Sequence, residues 1–281
     1  MLLYSGMTPE FILDTTHNAI AGKLAHAFEK HYRRGPSPGE FQSWRNSLRA
    51  LAAVIGHAGL NDQGIILEYQ LPLSSLRIDA MLTGRDASND RAVIVELKQW
   101  DAVELGSADE LVSTWVGGAK RDILHPSVQA NQYRRYLQDM HEAFHATADA
   151  IRLDACAYLH NYTPVNVDPI FANGTDAVRR LVPVFTGADT LALAAHLAER
   201  LSGGDGERVM RRVEESRFRP ARKLLSHVAK VVHEEPVFVL LDEQMVVFKQ
   251  IMAAVESARK DARKHVFLVH GGPGTCLLYT S

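Results

Sequence analysis

The feature that most constrains the fold is a pair of short apolar runs, 76–82 and 92–98, which flank a turn-forming segment at 84–90. The runs contain the aliphatic and β-branched residues that favour strands, and the segment between them contains Gly, Asn, Asp and Ser. We therefore expect a β-hairpin. Because side chains along a strand alternate between faces, Glu96 and Lys98 should project from the same face.

The hairpin also brings two carboxylates together. If the chain reverses near residues 87 and 88, Asp79 lies opposite Glu96, at a Cβ separation of about 5 Å. Two such carboxylates repel each other unless a cation lies between them, and one or two carboxylates commonly hold Mg²⁺ beside substrate phosphates. We expect Asp79, Glu96 and Lys98 to converge, with the carboxylates binding Mg²⁺ or Mn²⁺ and the lysine assisting phosphodiester hydrolysis. The alternative is an exposed strand end with a weak Glu96–Lys98 surface pair.

A third feature is a helix that should begin near Pro126, because proline fits the first turn of a helix. Gln129 and Tyr133 are four residues apart and would share one face of this helix. The alternative is an ordinary amphipathic helix without a functional role.

The C-terminal segment 266–275 is an apolar run that leads into a glycine-rich turn, as at the start of a Walker A phosphate loop. Positions 276 and 277 should then be Gly and Lys, but the chain has Cys276 and Leu277. We expect a phosphate loop that is cut off, followed by a non-native tail, and only weak or no ATP binding. A degenerate loop that never bound nucleotide is the alternative. The loop residues that would contact nucleotide in a full-length relative are Gly271, Gly272, Gly274 and Thr275.

Gln244 lies upstream of this loop, after an apolar run at 237–241. In superfamily 1 and 2 helicases a glutamine placed before the phosphate loop recognises adenine, since its amide both donates and accepts hydrogen bonds. Gln244 is a candidate for that role. The alternative is a residue at a helix N-terminus that bonds to solvent.

The order Asp79, Glu96-x-Lys98 and Gln129-x-x-x-Tyr133 resembles the PD-(D/E)XK nuclease superfamily, and in particular its RecB-like branch. The chain as a whole resembles the bacterial Schlafen-like DNA/RNA helicases, which carry such a domain ahead of a helicase motor. This second resemblance rests on the phosphate-loop start and on short strings at 4–6, 43–48, 68–72, 77–79, 95–100, 116–119, 125–127 and 157–162.

The resemblance implies an α/β fold, in which a nuclease-like mixed sheet flanked by helices precedes the first elements of a P-loop NTPase domain. It implies that Asp79, Glu96, Lys98, Gln129 and Tyr133 form the catalytic site of a divalent-metal-dependent nuclease that acts on DNA or RNA. ATP is expected as a ligand in full-length relatives only.

Length and composition bear on the number of domains and on the cellular location of the protein. The chain has 281 residues with 46% hydrophobic content, which is long enough for a large domain and part of another. It has no apolar run long enough for a spanning helix and no secretory signal, so we expect a cytoplasmic protein without membrane contact. The two cysteines form no disulfide or zinc pattern, and Cys156 should be buried.

A basic stretch at 207–223 contains seven basic and three acidic residues, although the net charge of the chain is −2. It is either the solvated face of a linker or a surface that binds along the phosphate backbone of a nucleic acid. The aromatic residues Trp100, Trp115 and Tyr133 could stack on unpaired bases near the site.

The predicted domains are a nuclease-like domain at 1–201, a basic linker region at 202–230, the start of a helicase ATPase domain at 231–275 and a tail at 276–281. The predicted helices are 8–34, interrupted at 33–39, then 40–59, 107–114, 126–146 and 188–201, and the predicted strands are 64–71, 76–83, 92–99, 153–159 and 182–186. Two functions stay open: a metal-dependent nuclease, or a non-catalytic nucleic-acid-binding or regulatory module of an ATP-dependent helicase.

Overall fold

The predicted hairpin lies at the centre of a mixed sheet. The computed structural model describes residues 2–219, except 73, 75, 146, 166, 167 and 173, together with 243–261 and 266–269. The strands are β1 (Tyr4–Met7), β2 (Gly64–Gln70), β3 (Arg77–Arg85), β4 (Asp90–Lys98), β5 (Glu104–Leu105), β6 (Leu111–Val116), β7 (Ala119–Leu124), β8 (Arg152–Leu159) and β9 (Val184–Thr186).

Six of the described strands form one sheet in the order β1-β2-β3-β4-β8-β9, and the other three form a small sheet in the order β5-β6-β7. The pairs from β1 to β4 are antiparallel, whereas β8 runs parallel to β4 and β9 parallel to β8. The chain is therefore an α/β protein with a mixed sheet flanked by helices, as predicted at this coarse level.

Helices cover both faces of the main sheet. They are α1 (Thr8–Thr16), α2 (Ile20–Tyr32), α3 (Pro38–Ala58), α4 (Pro126–Met140), α5 (Asp176–Leu181), α6 (Thr190–Leu201), α7 (Gly206–Glu215) and α8 (Glu243–Asp261). Helices α1, α2, α3 and α6 share a buried cluster with one face, and α4 and α7 share a cluster with the other.

Strand β4 shows why this sheet is buried on both faces. Val93 and Val95 belong to the cluster beneath α3 and α6, while Ala92 and Ile94 belong to the cluster beneath α4 and α7. A strand covered on both sides has a continuous apolar run rather than an alternating one. Cys156 on the neighbouring strand is buried, as predicted.

Helix α3 has clear capping residues at both ends. The Ser37 hydroxyl accepts a hydrogen bond from the Glu40 backbone N–H at 3.1 Å, and Pro38 occupies the first turn. Gly59 ends the helix at φ +65°, a left-handed conformation that glycine adopts at low cost. The predicted helix at 40–59 therefore differs from α3 only at its ends.

The helix predicted at 107–114 is wrong. Residues Leu111–Val116 form β6, which pairs with β7 in an antiparallel hairpin. Gly117 and Gly118 both have positive φ values, 61° and 80°, which is the geometry of a two-residue hairpin turn. The Gly-Gly pair was thus a turn signal, and the Val, Thr and Trp residues before it favour a strand.

Other boundaries shift for local reasons. The helical region predicted at 8–34 is two helices, because Asn18 has φ +57° between them. The helix predicted at 126–146 ends at Met140, where His141 adopts an extended backbone. The described helices include none that is long and apolar enough to cross a membrane.

The described part of the predicted linker is packed against the main sheet. Helix α7 contacts β2 and β3, and its Val209 and Val213 are fully buried. At its start, Gly206 N–H donates to Asp62 O at 2.9 Å, and the Thr83 hydroxyl donates to Gly206 O at 3.1 Å. The predicted basic linker region is therefore packed against the main sheet as far as residue 219, because apolar side chains on α7 add to the core.

A glycine substitution tests this packing. A Cβ on Gly206 would lie 2.0 Å from the Gly64 nitrogen, so Gly206→Ala must displace backbone atoms and should lower the free energy of unfolding by about 1–3 kcal/mol or more. In the matched control, Gly22→Ala in α2, the new Cβ meets no atom within 4 Å, and the free energy should rise by up to about 1 kcal/mol. Urea unfolding measures both changes. If the Gly206→Ala variant were as stable as the original chain, the close packing of α7 against the sheet at Gly206 would be contradicted.

Candidate active site

The register of the hairpin places Asp79 opposite Glu96. The strand pairs run from Arg85↔Asp90 to Ala80↔Val95, so the turn is centred between residues 87 and 88, as predicted. Beyond Ala80 the ladder ends, and the Leu97 backbone N–H donates to Asp79 Oδ2 at 2.7 Å. A carboxylate therefore takes the place of a backbone carbonyl at the point where β3 and β4 separate.

Glu68 is a third carboxylate beside Asp79 and Glu96. The three lie in line across β2, β3 and β4, and we call them the carboxylate row. The pairs Leu67↔Ala80 and Tyr69↔Ile78 place it across from Asp79 on the other side of β3. Its backbone has φ +54°, a left-handed conformation that is uncommon outside glycine and that interrupts the strand locally. Strand β2 lies between β1 and β3, so Glu68 belongs to an interior strand of the sheet.

Glu68 is held by groups from two elements. The Trp44 indole N–H of α3 donates to its Oε1 at 2.7 Å, and Arg77 Nε lies 3.2 Å from its Oε2. Arg77 also pairs with Glu40 of α3. Neither Trp44 nor Arg77 was predicted to belong to the site, although both lie in strings on which the family resemblance rests.

Glu96 and Lys98 project together from β4. Ala92 and Ile94 face the α4 side, so alternation places Glu96 and Lys98 on that side as well. Lys98 Nζ lies 2.8 Å from Glu96 Oε1 and 5.4 Å from the centre of the Trp100 ring. Glu96 is 2% exposed, and its Oε2 has no hydrogen-bond partner among the described residues. Glu96 is buried and Lys98 is only partly exposed, so this is not the solvated surface pair of the alternative interpretation.

The predicted Gln129–Tyr133 pair forms on α4. Gln129 Nε2 donates to the Tyr133 hydroxyl at 2.7 Å. Gln129 lines a cleft of about 600 Å³ together with Lys98 and Trp100. Tyr133 is only 2% exposed and belongs to the α4-side core, so the expectation that it could stack on a base is wrong.

His125 fixes the start of α4 and therefore the position of Gln129. Its Nδ1 accepts a hydrogen bond from the Ser127 backbone N–H at 3.2 Å, so Nε2 carries the proton that is shared with Ile170 O at 2.9 Å. Burial lowers the pKa of His125 to about 4, which keeps the ring neutral near pH 7.

Two carboxylates of the row, Asp79 and Glu68, have raised pKa values, and burial is the main cause for both. Burial, followed by the charges of Glu96 and Glu68, holds the pKa of Asp79 well above its usual range, although Lys98 opposes this effect. Burial raises the pKa of Glu68 to about 7 against the opposing charge of Arg77. Bringing negative charge into this row is therefore costly, and a cation nearby would relieve that cost.

The row opens in two directions. Asp79 and Glu68 line a cavity of about 30 Å³ beneath α3, with room for about one water molecule. Lys98 and Gln129 line the larger cleft on the α4 side, and Glu96 lines neither opening. Asp79 and Lys98 therefore line different openings, and no described opening brings Asp79, Glu96 and Lys98 together. Their convergence on one ion stays a prediction.

The residues fit a divalent ion with few protein ligands. Among the described residues, no group of three or more His, Cys, Asp or Glu side chains is arranged to hold a metal ion. Mg²⁺ commonly uses only one or two carboxylates and completes its shell with water and phosphate oxygens. The carboxylate of Asp79 and the unpartnered Oε2 atom of Glu96 have the chemistry of such ligands.

The nucleotide-site predictions are only partly within the described residues. Gln244 lies in the first turn of α8. Helix α8 contacts β7, and its Lys249 pairs with Glu110 while Gln250 Nε2 donates to Asp122 Oδ2 at 3.2 Å. Gly271, Gly272, Gly274 and Thr275 lie outside the described residues.

The basic stretch is largely neutralised where it is described. Arginines on α7 pair with nearby carboxylates, Arg208 and Arg212 with Asp90, and Arg211 with Glu207. These pairs favour a structural role over a surface that follows phosphates.

The chain was also compared with known proteins. No protein-family model, curated protein or solved structure matches it. The class of the site is therefore defined by its residues alone.

The pKa of Glu68 gives a prediction for stability. Because its folded pKa of about 7 lies above the usual 4.5, the folded state binds more protons between these values, and stability should fall as the pH rises from about 4.5 through 7. The full shift corresponds to about 3 kcal/mol.

Glu68→Gln keeps an acceptor for Trp44 but cannot lose a proton. Its free energy of unfolding should therefore fall less between about pH 5 and about pH 8, as measured by urea unfolding. The control Glu207→Gln, on the surface of α7, should follow the original chain. The assignment would be overturned if Glu68→Gln had the same pH dependence as the control.

Proposed function

We propose that this chain contains a divalent-metal-dependent nuclease domain of the PD-(D/E)XK type, which hydrolyses phosphodiester bonds in DNA or RNA. The observation that carries the proposal is the placement of Asp79 opposite the buried Glu96–Lys98 pair. Gln129 on the neighbouring helix supports it, because it lines the same cleft as Lys98. The order of these residues along the chain agrees with the family resemblance.

The roles follow from the chemistry of each group. Asp79 and Glu96 would hold the ion, and a bound divalent ion supplies charge for the scissile phosphate and lowers the pKa of a coordinated water. Lys98 would stabilise the negative charge that develops on the phosphate oxygens. Gln129 donates to Tyr133 through its nitrogen, so its carbonyl oxygen can accept a hydrogen bond from the attacking water. Tyr133 positions Gln129 from within the core.

The wider proposal is that the domain precedes a helicase motor, as in Schlafen-like DNA/RNA helicases. It is supported by the short strings of sequence and by the phosphate-loop start, most of which lies outside the described residues. Gln244 would then recognise adenine in full-length relatives.

One observation favours the second candidate, a non-catalytic nucleic-acid-binding or regulatory module. Glu96 is almost completely buried and lines neither of the two openings. A phosphodiester group could reach it only if β4 or the elements packed against it moved.

Cleavage assays distinguish the two candidates. Labelled single- and double-stranded DNA and RNA are incubated with Mg²⁺, Mn²⁺ or EDTA. Cleavage should require the ion, and Asp79→Asn or Glu96→Gln should reduce it about a hundredfold or more because each removes a ligand charge. The matched control is Glu104→Gln on the exposed strand β5, which should cleave normally. Cleavage at the original rate by both site variants would place catalysis elsewhere, and no cleavage by the original chain would favour the second candidate.

Lys98→Met separates ion binding from chemistry. Without the ammonium group, Glu96 loses its cationic partner, so the ion should bind at least as well as before while cleavage is lost. The rise in melting temperature caused by Mg²⁺ measures binding directly. We expect this rise to persist in Lys98→Met and to disappear in Asp79→Asn. If Lys98→Met lost the rise as well, lysine would act only through the local structure.

A further inference from the structure

The cleft beside Lys98 is built from four parts of the chain. The end of β4 contributes Lys98 and Trp100, α4 contributes Gln129, and the other walls come from the β6–β7 hairpin and from α8. Its volume of about 600 Å³ lies within the range of small-molecule sites, about 300–1,000 Å³. The cleft therefore extends well beyond the groups that the proposed hydrolysis needs.

The walls combine apolar surface with a few polar groups. Trp100, Ile123, Val246 and Val247 present aromatic and aliphatic side chains to the cleft. Such a slot suits a flat heterocycle, which buries its faces against apolar walls and uses its edges for hydrogen bonds. Gln250 on α8 lines the cleft as well and could meet such an edge.

Arg121 brings to the cleft a positive charge that no described ion pair occupies, in a lining that also holds the acidic residues Asp122 and Glu243. It is exposed, and it makes no ion pair or side-chain hydrogen bond with any residue that the structure describes. The other charged residues in the lining are Lys98, Asp122 and Glu243. Asp122 accepts hydrogen bonds from Ser107 and Gln250, and Lys98 pairs with Glu96. Arg121 is thus suited to bind a phosphate group of the ligand.

We propose that this cleft holds one unpaired nucleotide of a single-stranded nucleic acid, with its base against Trp100 and the α8 wall and a phosphate at Arg121. The inference rests on the proposed function, because it places the bound nucleotide beside Lys98 and Gln129. A duplex keeps its bases stacked in pairs, and freeing one base costs a few kcal/mol. The substrate class is therefore single-stranded DNA or RNA.

Binding of labelled oligothymidylate and oligouridylate in EDTA tests the proposal without cleavage. Loss of base stacking weakens binding about 5- to 150-fold per base, so Trp100→Ala should raise Kd by a factor in this range, and Trp100→Phe should recover part of the loss. Val247→Phe, which fills the cleft without changing its charge, should also raise Kd. Arg121→Gln should raise Kd and reduce the slope of log K against log salt by about 0.7, as for one lost phosphate contact.

The control is Trp115→Ala. Trp115 is 68% exposed on the same hairpin, and it is not among the residues that line the cleft. Its loss should leave Kd unchanged. Unchanged binding by Trp100→Ala and Val247→Phe, or equally tight binding of a duplex, would overturn the proposal.

The outcomes also separate this inference from the proposed function. If Trp100→Ala and Val247→Phe weaken binding but the original chain cleaves no substrate, the cleft is a binding site and the nuclease proposal fails. If the chain cleaves with the ion and the cleft variants bind normally, the nuclease proposal stands and the cleft assignment fails. Comparison of the two oligonucleotides decides whether DNA or RNA is preferred.

Discussion

The candidate site depends on the separation of β3 from β4 at Asp79. Up to Ala80 the two strands share a regular ladder, but beyond it β4 continues to pair only with β8, through Glu96, Leu97 and Lys98. The hydrogen bond from Leu97 N–H to the Asp79 carboxylate closes the gap that the lost ladder leaves. A buried backbone donor must have a partner, so this carboxylate has a structural duty as well as its proposed role. Sheets commonly bind ligands where neighbouring strands diverge, since side chains from several elements can meet there.

The cost of this arrangement is electrostatic. Three carboxylates, Glu68, Asp79 and Glu96, lie in one row across β2, β3 and β4, and burial makes their mutual repulsion strong. The fold offsets part of it with Arg77 on one side and Lys98 on the other, while the Trp44 N–H satisfies an oxygen of Glu68. Perturbed pKa values of this kind concentrate at functional sites, although structural ion-pair networks also produce them.

Much of the site was predictable because it depends on local periodicity. The turn signal fixed the register of Asp79 against Glu96, and the four-residue spacing brought Gln129 to Tyr133 on α4. Glu68 was not predictable as a member of the row, since its left-handed backbone and its contact with Trp44 depend on long-range packing. The β6–β7 hairpin was missed although Gly117-Gly118 is a turn signal. The burial of Glu96 and the division into two openings depend on how α3 and α4 cover the sheet.

The packing of α7 has a mechanical consequence. Gly206 lies against Gly64, and its carbonyl accepts from Thr83, near the turn end of the hairpin. Tension applied to the chain beyond residue 219 would be borne first by the hydrogen bonds of Arg217 and Arg219 with the backbone at 140–142, and then by this anchorage. Asp79 lies four residues along β3 from Thr83, which is about 13 Å at the usual rise of a strand. The contacts of α7 would therefore keep such tension from displacing the carboxylate row.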